Sequence, residues 1–148
     1  MQDVMTNIEV DGVSYPIVFN LNVMQAIQQE YETIDAWTDL TDGEEYQKRA
    51  YKKANPNSKV CWDELDDEEK EKYTGEPDAR AVIFGFTEMI NEGISIESDE
   101  LIAKGENPRK EMTAKQVGRL LTKYGLTKAT KKLNETVVES TKIEIKNE

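Results

Sequence analysis

Two amphipathic helices separated by a single glycine, MTAKQVGRLLTKYG followed by LTKATKKLNETVVESTK, constrain this chain more than any other feature. The Thr113 hydroxyl can cap the first helix, and Gln116, three residues on, can return a bond to the Thr113 amide, a capping box. Val117, Leu120, Leu121 and Tyr124 then recur at helical spacing, so one stripe must find a core. Gly125 follows the stripe and predicts a left-handed helix end. Thr127 is the expected cap of the second helix, whose apolar line runs through Ala129, Leu133 and Val137, with Val138 beside it. The two stripes need partners from elsewhere in the chain.

The β signal lies near the opening. Ile8 and Val10 alternate with polar neighbours, Asp11-Gly12 is a type I′ turn pair, and Val13, Tyr15 and Ile17 resume the alternation. Pro16 lacks an amide hydrogen, which predicts an open edge on the returning strand. A lone hairpin is marginally stable, so it must lie on helices. Asn22 with Gln25 predicts the cap of the first of these, and Val23, Ile27, Tyr31 and Ile34 follow near helical spacing.

Residues 41–77 read as an acidic, polar, insertion-like segment holding the loop signal ANPNS. Its apolar content is mostly Tyr46, Tyr51, Trp62, Leu65 and Tyr73. Two short polar helices are expected near 44–54 and 66–73, packed by these aromatics or ordered on binding. ARAVIFGFTEMINEG, by contrast, is apolar on most sides through Val82, Ile83, Phe84, Phe86, Met89 and Ile90, and belongs at the centre of the domain. Gly93 is expected to end that helix. Residues 98–112, with Gly105 and Pro108, read as a mobile loop. The sequence therefore predicts a single domain over 1–148 of the α+β class, mostly α: an N-terminal β-hairpin followed by a helical bundle ending in the helix-Gly-helix hairpin.

The residue inventory removes several chemistries. Without histidine there is no Ser-His or Cys-His nucleophile pair and no histidine-based zinc site. The lone Cys61 cannot form an internal disulfide or a thiolate cluster, and reads as a passive small apolar residue. No Walker loop or dinucleotide fingerprint is present. The acidic run WDELDDEEKEKY offers Asp63, Asp66, Asp67, Glu68 and Glu69, but lacks the spacing and turn glycine of a calcium loop. Acids also gather naturally at a helix start, where the dipole favours them. No catalytic residue, metal or cofactor is expected.

The stretches QVGRLLTKYGL and KKLNETVVESTK, with FGFTEMINEG upstream, resemble the tail assembly chaperones of long-tailed phages and prophages of Gram-positive bacteria. The likeness spans roughly the first forty and last seventy residues, and the segment between departs from it. It implies a small, mostly helical, noncatalytic protein of the bacterial host cytoplasm, absent from the mature virion. Such a protein would keep the tape measure protein soluble by covering its apolar helices. Several copies would coat one such chain, so self-association is also implied. The resemblance further implies a longer product, made by ribosomal slippage, that recruits tail tube subunits. Ile145-Lys146-Asn147 can be encoded by codons containing a slippery heptamer, while a polar chain end accounts for the same residues.

Charge bears on the alternatives. With 19 basic and 30 acidic residues the net charge is -11, which favours solubility and disfavours a nucleic-acid backbone. No apolar run approaches the roughly 20 residues needed to span a bilayer, and no signal-peptide pattern opens the chain. Residues 109–132 nonetheless carry +7, leaving -18 for the remainder. Within them Arg119, Lys123, Lys128, Lys131 and Lys132 are candidate partner-binding residues. They admit a helix-turn-helix DNA binder as a second reading, although no base-reading set opens the second helix. An acidic DNA mimic is a third. Lysines on solvated faces are the plainest account.

Overall fold

The computed structural model describes residues 4–73 and 77–146, and within them the fold is α+β and mostly α. β1 (Val4–Val10) and β2 (Val13–Phe19) form the expected antiparallel hairpin. Asp11 and Gly12 take φ of +52° and +79°, the type I′ turn whose twist matches the flanking strands. Ile8, Val10, Ile17 and Phe19 are buried.

Asn20 caps α1 (Leu21–Tyr31), its Oδ1 accepting from the Val23 amide at 3.2 Å. The expected cap, Asn22, instead sits in the first turn, and Asn20 and Asn22 each donate through Nδ2 to Glu92 Oε1 at 3.1 Å. Ile34 does not continue the stripe of α1: the chain breaks at Glu32, with φ of +70°, and Thr33 caps a separate α2 (Ile34–Thr41). Trp37 of α2 is fully buried, and its Nε1 donates to the Ala81 carbonyl at 3.0 Å.

The acidic segment forms α3 (Gly43–Ala54), a 3-10 turn (Trp62–Glu64) and α4 (Asp67–Glu71). α4 is shorter than the expected 66–73, and Asp66 caps it by accepting from the Glu69 amide at 2.8 Å. Aromatic packing is borne out. Tyr51 lies 6.0 Å from Trp62 and 5.1 Å from Tyr73, with Trp62 and Tyr73 6.3 Å apart between ring centroids.

α5 (Ala79–Ala103) runs straight through Gly93, so the expected helix end there is corrected. The glycine serves close approach instead: a Cβ on Gly93 would lie 2.9 Å from Pro16 Cβ and 3.0 Å from the Pro16 carbonyl carbon. Residues 98–103 are consequently helix and not loop, and the connection comprises 104–113. That connection is held to the body. Asn91 exchanges two bonds with the Met112 backbone, at 2.8 and 2.9 Å, and Arg109 donates from Nη1 to the Ser14 carbonyl at 3.0 Å.

The helical hairpin is present as α6 (Ala114–Tyr124) and α7 (Leu126–Lys146), with the Thr113–Gln116 capping box formed. Gly125 has positive φ, +103°, but ψ of 129° places it outside the left-handed helical region and turns the chain directly into α7. Its carbonyl accepts from the Ala129 amide at 2.9 Å, so Gly125 precedes α7 and Thr127 lies within the first turn, not at the cap. Val117, Leu120, Leu121, Ala129 and Leu133 join Val82, Phe86, Met89, Ile90 and Ile94 of α5 in one core under the β-hairpin. Tyr124 and Val137 are half-buried at its margin, while Val138 is exposed. Among the described residues no helix is long and apolar enough to cross a membrane. Asn147, part of the possible slippage site, lies outside the described residues.

Candidate functional site

α6 presents one side to the core and leaves a groove on each flank. The capping box fixes where the helix starts, and the buried row Val117, Leu120 and Leu121 fixes its rotation. On one flank, Gly118, Leu121 and Thr122 face Ala79, Val82 and Ile83 of α5, with Leu126 of α7 closing one end. The groove is open to solvent and has a volume of about 330 Å³, within the range of ligand pockets. Thr122 is the only polar side chain of this lining, and no ionisable group belongs to it. Gly118 lines the groove, and a methyl group there would reach ordinary contact with Ile83 Cδ1 at 3.5 Å. Leu126 is 47% exposed although it stands three and seven residues before the buried Ala129 and Leu133 of the same stripe.

On the other flank, Met112, Gln116, Arg119, Leu120 and Lys123 face Val10, Asp11, Val13 and Tyr15 of the β-hairpin across about 520 Å³. Arg109 lies over the Tyr15 ring at 4.8 Å. Lys123 Nζ bonds Asp11 Oδ2 at 3.2 Å, with both side chains largely in water, so the pair contributes little to stability. The floor is partly apolar and the rim is basic.

Arg119 and Lys123, one helical turn apart, are thus brought together in the second groove. Lys128, Lys131 and Lys132 lie on α7, outside both linings, and have no ion-pair partner among the described residues. The five candidate residues therefore do not form one site with a shared lining. Among the described residues no cluster of acidic or cysteine side chains is arranged to hold a metal ion. Cys61 is exposed, not packed as a small apolar residue.

The apolar groove was not read from the sequence. One signal could have pointed to it: a glycine inside an otherwise sound helix at Gly118. The chain matches no protein-family model, no curated protein and no solved structure.

Proposed function

We propose that this protein is a noncatalytic assembly chaperone whose apolar groove between α5, α6 and the start of α7 holds an apolar helix of a long partner, the tape measure protein of a phage tail. The groove carries the proposal. Its walls of Ala79, Val82, Ile83, Leu121 and Leu126 offer packing without a charge to desolvate. That suits the helix-in-groove mode, in which spaced apolar anchors of an amphipathic helix enter a preformed slot. The partner's identity comes from the sequence resemblance, and the net charge of -11 would keep a coated complex soluble. A chaperone must also release its client, and a groove of this size anchors only one or two side chains, which suits reversible binding.

Co-expression with the tape measure protein tests the reading. Wild-type chain should hold that protein in the soluble fraction as a complex that co-purifies. Leu126→Glu should lose the complex while keeping its fold, because an exposed acid in the first turn of α7 complements the helix dipole. A tape measure protein equally insoluble with either chain would contradict it. Salt-sensitive retardation of duplex DNA, lost on changing Arg119 and Lys123 together, would favour the DNA-binding alternative.

A further inference from the structure

The two strands of the hairpin differ sharply in how their outer edges are covered. Hydrogen-bonded and non-hydrogen-bonded pairs alternate along an antiparallel ladder. Counting from Val10 opposite Val13 at the turn, Tyr15 and Ile17 turn their backbone groups inward, whereas Ser14, Pro16 and Val18 turn theirs outward. The outward edge of β2 is blunted. The Ser14 carbonyl accepts from Arg109, Pro16 has no amide hydrogen, and α5 lies against Pro16 at Gly93. On β1 the outward groups belong to Met5, Asn7 and Glu9. Outside the hairpin, no described backbone or side-chain group bonds to their main chain. All three side chains are exposed. A seven-residue strand with a bare edge is a template for strand addition, which folded proteins ordinarily cover or charge.

We propose that the edge of β1 pairs antiparallel with the same edge of a second copy of this chain, joining two hairpins into a four-stranded sheet across a two-fold axis at Asn7. An isologous contact must be self-complementary, and the sequence of β1 meets that demand in this register. Asn7 falls opposite Asn7 of the second copy, and Glu9 falls opposite Met5, so the strand's only charged residue never faces its own copy. Each outward-facing peptide group finds a partner. The pairing needs no assumption about what the apolar groove binds.

Mass measurement over a concentration series, paired with cross-linking, tests it. The wild-type chain should pass from monomer to dimer as concentration rises, and added salt should tighten the dimer by screening two chains of net charge -11. Asn7→Asp is nearly isosteric and exposed, so its melting should match wild type. It places two carboxylates opposite each other and should weaken the dimer roughly fivefold. In a Cys61→Ser background, Asn7→Cys should oxidise to a linked dimer, since directly opposed hydrogen-bonded residues sit about 5.5 Å apart, within disulfide reach. Ser14→Cys, on the covered strand, should not.

A monomer at every concentration, with Asn7→Cys linking no faster than Ser14→Cys, would overturn the proposal. So would a dimer indifferent to Asn7→Asp, which would place the contact on another surface. Protection of the β1 amides only when an unrelated extended peptide is added would assign the edge to a different occupant and likewise overturn self-pairing.

Discussion

At Gly93 and Gly118 the same residue type does opposite work, and the difference is measurable. A glycine inside a helix costs about 1 kcal/mol relative to alanine. At Gly93 that cost is offset by contact, because the Pro16 backbone lies where a Cβ would go. Gly93→Ala should therefore destabilise the fold by about 1–3 kcal/mol in denaturant melts despite its better propensity. Gly118→Ala meets only ordinary contact and should stabilise by up to about 1 kcal/mol while narrowing the groove. The sequence could not separate these cases. A glycine after an apolar run signals a helix end as readily as a close approach, and what decides is Pro16, remote in the chain. Glu88 is a second informative residue. Burial, with Glu111 and Glu92 nearby, holds its carboxyl above the ordinary carboxylate value. The fold thus favours the protonated form, a contribution present in full below the unfolded pKa and lost as pH rises through the raised folded one. Glu88→Gln should accordingly raise the melting temperature at about pH 7, and much less at about pH 4, where the wild-type side chain is itself largely protonated.

Among the elements, the α6–α7 hairpin is structural core, and Leu121 tests that. Its side chain is 5% exposed between α5 and α6, and burying a leucine contributes about 1.5–3 kcal/mol. Leu121→Asp loses this and strands an unpaired carboxylate, so the loss should exceed about 3 kcal/mol and appear as a collapsed thermal transition. A variant melting like wild type would mean the hairpin is a detachable tail. Elements governed by adjacent residues were the legible ones. The Thr113–Gln116 box and the Asp11-Gly12 turn are local chemistry, and both form as read. α2 was not legible, because eight residues carrying Asp35 and Asp39 give too short a stripe, and the burial of Trp37 depends on the distant Gly85 and Ala81. The cap of α1 lies two residues before the expected Asn22: the two asparagines are alike as local signals and both donate to the distant Glu92, but only Asn20 accepts from a first-turn amide, that of Val23.

For the whole molecule, the division of surfaces matters more than total charge. The apolar groove takes no residue from β1, whereas the basic-rimmed groove reaches the end of that strand at Val10, so the proposed client binding and self-association need not compete. Binary patterning revealed the core stripes, but not the grooves, which arise only when Gly118 and Ile83, or Arg119 and Tyr15, are brought face to face. The central claim is that the α5–α6 groove receives an apolar helix of the tape measure protein. Backbone amide exchange, compared between the free chain and its purified complex with that protein, tests this most directly. Protection should rise at residues 79–83, 118–122 and 126 and stay unchanged in 43–73. Protection confined to 43–73, or a complex in which no groove amide slows, would contradict the account.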